Sequence, residues 1–273
     1  MMKQILFFLF AVVIYVVPAF SQNEKYGNDS THGKYYAVRG VNMYAEIYGS
    51  GKPLLLIHGN GGSISSFKKN IAFFAQKYQV ISLDSRAQGK SIDSKDSLSF
   101  EMMADDEAAF LTALHIDSAY VLGWSDGGIN ALLLAMRHPE KVIKLASTGA
   151  NLWPDSTGIN PSYWRSEAKR FANTNPAELK TAKEKNDWKL FLLDWLQPNI
   201  SLQSLHSIKS PSLIIGGDHD LIPVEHTVQI YKSIPNAYLW IIPDSGHGTL
   251  KEHTDDFNKL VDDFFSKPFH KRK

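Results

Sequence analysis

Gly123-Trp124-Ser125-Asp126-Gly127-Gly128 follows the apolar run Ala119-Tyr120-Val121-Leu122 and leads into a helical pattern from Ile129 to Met136. The order is a strand, a sharp glycine turn and a helix, with a serine at the apex. A G-x-S-x-G turn of this kind forces the serine into a strained corner, where its hydroxyl stands clear of the sheet beside backbone donors. The expected product is a nucleophilic Ser125.

A serine hydroxyl is a weak nucleophile near neutral pH and needs a base within hydrogen-bond reach, itself oriented by a third group. Both partners should lie downstream. Pro243-Asp244-Ser245-Gly246-His247-Gly248 places a histidine on a glycine-flanked loop before a helical segment, Asp255 to Phe265, and makes His247 the expected base. His58, His219 and His253 are rivals with blander roles as loop donors or solvated side chains. The run Gly216-Gly217-Asp218-His219-Asp220-Leu221-Ile222-Pro223 sets acids at the carboxyl edge of a strand, where sites in open α/β sheets collect. Asp220 is the expected third member, with Asp218 as its rival. Serine, acid and histidine at 125, 220 and 247 follow the chain order of the strand-turn-helix hydrolases. The Asp218, His219, Asp220 and His226 group lacks a second spaced ligand set, so no metal site is expected.

Attack on a carbonyl creates a tetrahedral oxyanion that needs two aimed donors. One is the backbone amide of Asp126. The second is expected from the loop His58-Gly59-Asn60-Gly61-Gly62, after the apolar run Leu54 to Ile57, with Asn60 as the donor.

Around these motifs the chain alternates apolar runs with helical patterns. Tyr35 to Val38 and Met43 to Tyr48 flank Arg39-Gly40 as a hairpin, and later runs begin at Pro53, Gln79, Ala119, Val142, Ser212 and Tyr238. The pattern predicts an α/β fold with a mostly parallel, eight-stranded sheet flanked by helices. The interval between the strands at 142 and 212 is too long for one crossover. It predicts a helical insertion at about 151–207, with helical stretches at Glu178 to Lys185 and Asp187 to Leu196. Four of the six tryptophans lie in it. Its aromatics either pack on one another or form a cap with an apolar pocket over the serine, and Trp124 and Trp153 are the expected substrate contacts alongside Asp126.

These residues resemble the α/β-hydrolase fold family, through the His58 to Gly62 loop, the Gly123 to Gly128 turn, the Asp220 loop and Gly246-His247. The resemblance runs from about Lys34 to Phe265. Within the family, the turn and the helix to Arg137-His138-Pro139 look like the valacyclovir hydrolase (biphenyl-hydrolase-like) branch. That resemblance implies that Asp126 helps to hold an amino group of the substrate. Asp84-Ser85-Arg86-Ala87-Gln88-Gly89 resembles another family loop, with Ala87 where glycine is common.

Composition fits a catalytic domain with a sizeable core, at 44% hydrophobic and 12% aromatic residues. Residues 1–21 read as a signal peptide: Lys3 precedes a 13-residue apolar run, Ile5 to Val17, and Ala19 and Ser21 offer small residues for cleavage before Gln22. A spanning helix needs roughly 20 apolar residues, so no stable membrane anchor is expected after cleavage. The implied address is periplasmic or extracellular. Residues 22–33 form a polar segment, 34–266 the catalytic domain and 267–273 a solvated basic tail. Without residues 1–21 the acidic and basic side chains balance, and nothing suggests a nucleic-acid surface. Cysteine is absent, so no disulfide holds the chain.

The expectation is an exported serine hydrolase of a small-molecule ester or amide, working without a metal or organic cofactor. A carbon-carbon bond hydrolase or acyltransferase with the same residues is the alternative reaction, and a ligand-binding receptor the alternative class.

Overall fold

The structure, a computed structural model, describes residues 25–95 and 97–270. The expected signal peptide lies outside the described residues. Among those residues no helix is long and apolar enough to cross a membrane.

Eight strands form one sheet: β1 (Gly33–Val38), β2 (Val41–Tyr48), β3 (Lys52–Ile57), β4 (Tyr78–Leu83), β5 (Ala119–Trp124), β6 (Val142–Thr148), β7 (Ser212–Gly217) and β8 (Ala237–Ile242). The order is β1-β2-β4-β3-β5-β6-β7-β8. β2 pairs antiparallel with both β1 and β4, and the remaining pairs are parallel. Helices α1 (Lys68–Phe74), α2 (Phe100–Ala113), α3 (Asp126–Arg137), α4 (Pro161–Asn173), α5 (Ala182–Leu196), α6 (Val224–Ser233), α7 (Thr249–Glu252) and α8 (Thr254–Ser266) complete the chain. This is an α/β-hydrolase fold.

The central strands β3 and β5 are apolar over 54–57 and 119–122 because both faces are covered there. Leu55, Ile57 and Val121 join one core with α2 and α3, while Leu54, Leu56 and Leu122 join another with α1 and α8. Alternate residues of a strand point to opposite faces, so each strand supplies both cores. The loops that follow β3, β5, β7 and β8 then emerge at one edge of the sheet, where Ser125, Asp220 and His247 lie.

Two boundaries differ from the expectation. Residues before 34 belong to the fold, since the buried Glu46 carboxylate accepts hydrogen bonds from the amides of Gly27 (2.7 Å) and Asp29 (2.9 Å) and from the hydroxyls of Tyr44 and Tyr48. At the other end the tail folds back. Phe269 packs on Tyr238 with ring centroids 4.7 Å apart, and the Tyr238 hydroxyl exchanges hydrogen bonds with the backbone of His270.

The helix expected over Glu178 to Lys185 is also corrected. Residues 176–178 make a short 3-10 turn, and α5 begins afresh at Ala182, where Thr181 and Glu184 cap each other reciprocally. That capping box satisfies two of the first-turn donors a helix leaves open and so fixes its start.

Candidate active site

Ser125 sits at the junction of β5 and α3 with φ 58° and ψ −121°, a conformation that non-glycine residues rarely adopt. Its neighbours explain why the turn tolerates it. A Cβ on Gly123 would lie 1.9 Å from the Gly127 carbonyl oxygen, and one on Gly127 would lie 1.9 Å from the Ile57 oxygen. Both positions require glycine so that α3 can pack against β3 and β5. The Ser125 amide donates to the Thr148 carbonyl at 2.9 Å, tying the corner to β6.

His247 Nε2 lies 2.9 Å from Ser125 Oγ, and His247 Nδ1 lies 2.6 Å from Asp220 Oδ1. The other contacts of Asp220 hold it there: the Ile222 amide donates to Oδ1 at 3.0 Å. With Nδ1–H facing a carboxylate, Nε2 is the acceptor for the serine proton. Asp218 does not share this role. Its Oδ1 accepts from the Ser245 amide at 3.0 Å and pairs with exposed His219, and these bonds hold its carboxyl well below the usual carboxylate range.

The rival histidines are occupied elsewhere. Buried His58 accepts from the Ser85 amide at 3.0 Å through Nε2, and burial pushes its pKa down; His253 Nε2 lies against the Asp244 carbonyl. His226 Nε2 accepts a hydrogen bond from the Leu152 amide at 2.9 Å. Among the described residues no group of three or more His, Cys, Asp or Glu side chains is placed to hold a metal ion.

The loop after β3 runs directly beside the serine. A Cβ on Gly59 would meet Ser125 Cβ at 2.9 Å, and the Gly62 amide closes the loop onto the Gly59 carbonyl at 3.0 Å. Asn60 follows, and its side-chain amide donates to Asp126 Oδ2 at 2.9 Å and to the Leu190 carbonyl of α5 at 3.2 Å. One residue thus joins the loop, the turn and the insertion.

These groups open into a cavity of about 320 Å³. From α4 it is walled by Tyr163, Trp164, Glu167 and Arg170, and from α5 by Asp187, Phe191, Asp194 and Trp195. Both sets follow helical spacing, so each helix turns one face to Ser125. The insertion's aromatics do both things weighed for them. Trp164 and Trp195 stack at 5.6 Å, Phe171 and Trp195 at 5.3 Å, and Trp164, Phe191 and Trp195 also face the cavity. α5 is fastened to the loop after β4 by Asn186 Nδ2 on the Ala87 carbonyl and Lys189 Nζ on the Asp93 carbonyl.

Trp124 lines the cavity, yet its indole Nε1 donates to the His247 carbonyl at 2.8 Å, which makes it a support for the histidine loop as well. Trp153 is corrected. It stands edge-on to His226 at 4.6 Å and bonds Thr157, while Pro154 and Asn151 reach the cavity in its place. Its indole is drawn to the imidazole and the core beneath the insertion.

Asp126 is buried, with 3% of its surface exposed, and its carboxyl is pushed up to about 6 chiefly by loss of hydration, opposed by hydrogen bonds from Asp194 and Asn60. Asp194 stands well above the ordinary carboxylate range for the same reason, reinforced by the charge of Asp126. Asp194 is not among the site residues expected from the sequence. Its signal was an acid on the apolar face of α5, three residues after Phe191 and four after buried Leu190.

The chain matches the α/β hydrolase fold family over residues 52–198. The serine hydrolase BPHL of Mus musculus is 29% identical over 265 residues, covering 91% of each chain. A 2-hydroxy-6-oxo-6-phenylhexa-2,4-dienoate hydrolase of Burkholderia cepacia is 27% identical over 261 residues, covering 80% of this chain and 89% of that protein. Among solved structures, Est816, described as an N-acyl homoserine lactone degrading enzyme, superimposes with a TM-score of 0.71 at 26% identity, covering 84% of this chain and 98% of that one. The meta-cleavage product hydrolase CumD of Pseudomonas fluorescens IP01 shares the fold, with a TM-score of 0.69 at 24% identity over 86% of this chain and 97% of that one. A family match across more than half of the chain, whole-length relatives that are hydrolases, and the serine corner with its paired histidine and acid converge: the chain belongs to the α/β-hydrolase fold family and is a hydrolase.

Proposed function

We propose that the protein is a serine hydrolase that cleaves a small carboxylic ester or amide through an acyl-enzyme on Ser125. The observation that carries this reading is the hydrogen-bonded row from Ser125 Oγ through His247 to Asp220, at 2.9 and 2.6 Å. Ser125 Oγ attacks the carbonyl carbon as His247 Nε2 takes its proton. The backbone amides of Asp126 and Asn60 receive the oxyanion. His247 then gives the proton to the departing alcohol or amine, which leaves the acyl group on Ser125. Water attacks next, with His247 accepting its proton and returning one to Ser125 Oγ as the acid leaves. The balance is one water consumed per bond cleaved, and no cofactor takes part.

The acyl group is read from the cavity's charge. A carboxylate about 6 Å from an oxyanion costs roughly 3 kcal/mol at an effective dielectric near 20, so Asp126 must be compensated. An ammonium on the acyl group compensates it and fits the acidic wall of Asp126, Asp194 and Glu167. The same wall weighs against the carbon-carbon bond alternative with an anionic dienoate, because Arg170, among the described residues the one lysine or arginine lining the cavity, is turned toward Glu167 at 3.4 Å. Residues 1–21 extend the reading to an exported enzyme, periplasmic or extracellular, released from its signal peptide.

The test is turnover of a panel of p-nitrophenyl esters, with and without an α-amino group, beside Ser125→Ala and fluorophosphonate labelling. Hydrolysis and labelling that vanish together in Ser125→Ala support the reading. Folded protein that neither turns over esters nor labels favours the receptor.

A further inference from the structure

The Asn60 backbone amide, assigned above to the oxyanion, sits on a loop with little steric restraint of its own. Three of the five residues from His58 to Gly62 are glycine. Gly61 has φ 62°, and among the described residues nothing lies within 4 Å of where its Cβ would be. Glycine frees a loop from the clashes that fix other residues, so another restraint must aim the amide between Gly59 and Gly61. The Asn60 side chain supplies one. Its Nδ2 donates to Asp126 Oδ2 at 2.9 Å and to the Leu190 carbonyl at 3.2 Å. Both neighbours are acceptors, so the amide nitrogen and not its oxygen must face them.

The two acceptors belong to different bodies. Asp126 opens α3, which is packed against the sheet at Gly127. Leu190 lies inside α5. A carbonyl there belongs to the ladder of bonds to the residue four on, so it moves only with its helix. α5 is placed in turn by the loop after β4. Asn186 Nδ2 donates to the Ala87 carbonyl at 2.8 Å, and Lys189 Nζ to the carbonyls of Asp93 at 2.9 Å and Lys95 at 2.8 Å. Just past the helix end, Gln197 Nε2 donates to the Leu98 carbonyl at 3.2 Å. Residues 186, 189, 190, 193 and 197 recur at helical spacing, and Leu190 and Leu193 are buried, so one face of α5 is turned to the body of the fold. The Asn60 bond is made on that face.

We propose that the Asn60 side chain is a positioning group that couples the oxyanion site to the seating of α5. With α5 docked on the loop after β4, Leu190 and Asp126 together hold Asn60, and its backbone amide is aimed at the reacting carbonyl. The inference rests on the hydrolase reading above and deepens it. The insertion then does more than wall the cavity. When α5 lifts, Asn60 loses one of its two posts, the amide turns with the glycines beside it, and the Asp126 amide is left to receive the oxyanion alone. Asn186 and Lys189 lie outside the cavity lining, yet they act on turnover through this link.

The experiment measures kcat and KM for a p-nitrophenyl ester and the Ki of an alkyl trifluoromethyl ketone, to which Ser125 Oγ adds, leaving an oxyanion while His247 takes the proton. The proteins compared are the natural one, Asn60→Ala, Asn186→Ala with Lys189→Met, and all three changes combined, each checked by circular dichroism. Asn60→Ala should lower kcat at least about tenfold and weaken the ketone by a like factor with KM little changed, since removing an oxyanion donor outright costs about a hundredfold or more. The α5 double variant leaves Asn60 in place and should lower kcat and weaken the ketone at least about threefold. Added to Asn60→Ala, it should cost less than about twofold more, because the link is already cut. Losses that multiply in the combined variant overturn the inference, since α5 would then act without Asn60. An unchanged kcat and ketone affinity in either variant overturns it also, as do losses confined to KM. If Asn60→Ala fails to fold, the α5 double variant decides alone. Absence of Ser125-dependent turnover in the folded natural protein overturns the hydrolase reading and this inference with it, whereas turnover with a ketone indifferent to every variant overturns this inference alone.

Discussion

The indole Nε1 of Trp124 donates a 2.8 Å hydrogen bond to the backbone carbonyl of His247, so the residue before the proposed nucleophile holds the loop of its base. The indole is itself held, with Lys251 Nζ 3.9 Å from its ring centroid. Trp124→Phe keeps the ring and deletes the donor. A net hydrogen bond is worth about 1 kcal/mol, which predicts a fall in kcat of roughly fivefold with KM little changed. Steady-state kinetics decide it, and an unchanged kcat would deny the bond any part in placing His247.

Gly59 is the tightest point of the loop beside Ser125. Alanine there would put its Cβ 2.9 Å from Ser125 Cβ, a backbone-borne atom that cannot swing away. The loop must back off, and with it the Asn60 amide assigned to the oxyanion. Losing an aimed donor costs about 3 kcal/mol, so Gly59→Ala should lower kcat by roughly a hundredfold while the protein stays folded. Circular dichroism alongside the kinetics separates this from unfolding.

The legibility of this site follows chain distance. Ser125, Asp220 and His247 each sit in a loop whose local sequence announces it, with glycines at 123, 127, 217 and 246 and an apolar strand before each. Their chain order did the rest. Asp194 has no local mark beyond an acid on an aromatic face, because its partner Asp126 lies 68 residues away and α5 must fold over the sheet before they meet. The start of α5 was present in Thr181-Ala182-Lys183-Glu184, a capping box outweighed by the helix formers of 178–185. Trp153 failed for a different reason: aromatic content identifies a packed layer but not which side of it a ring faces.

Ala87 shows what the family pattern could reveal. It stands where glycine is common and adopts φ 64° in the structure, so the loop keeps the glycine conformation at a cost. A left-handed residue with a Cβ is strained by about 1–2 kcal/mol, against about 0.4–1 kcal/mol of extra unfolded-chain entropy for glycine. Ala87→Gly should therefore raise the melting temperature by one or two degrees. Calorimetry that finds a lower value would place the alanine methyl in packing that outweighs its strain.

His226 links acid stability to the insertion. Burial lowers its pKa from the ordinary 6.5 to about 4, and its neutral Nε2 accepts the Leu152 amide. Its folded pKa lies below its unfolded one, so the unfolded chain binds the extra proton first. The stability it contributes is complete above about pH 6.5 and is lost as pH falls toward 4. The melting temperature should drop across that window. In His226→Leu this contribution to the slope disappears, at the cost of about 1–3 kcal/mol at pH 7 for the unpaired Leu152 amide. A slope between pH 6.5 and 4 identical in both proteins would assign the acid sensitivity to another group.

Asp218 and Asp220 are two residues apart on one loop, and the geometry divides their work. Asp220 Oδ1 is 2.6 Å from His247 Nδ1 and fixes which ring nitrogen faces the serine, whereas Asp218 holds the Ser245 amide two residues before the histidine. Asparagine at 220 preserves the shape but can donate to Nδ1, which favours the tautomer with its proton pointing at Ser125; a loss of about 10³ to 10⁴ in kcat is expected. Asparagine at 218 keeps an acceptor for the Ser245 amide. The loop persists and kcat should fall less than about tenfold, the worth of one part-buried hydrogen bond. The pair of variants is decisive, because a larger loss at 218 than at 220 would mean that the histidine is oriented through its loop and not through its ring.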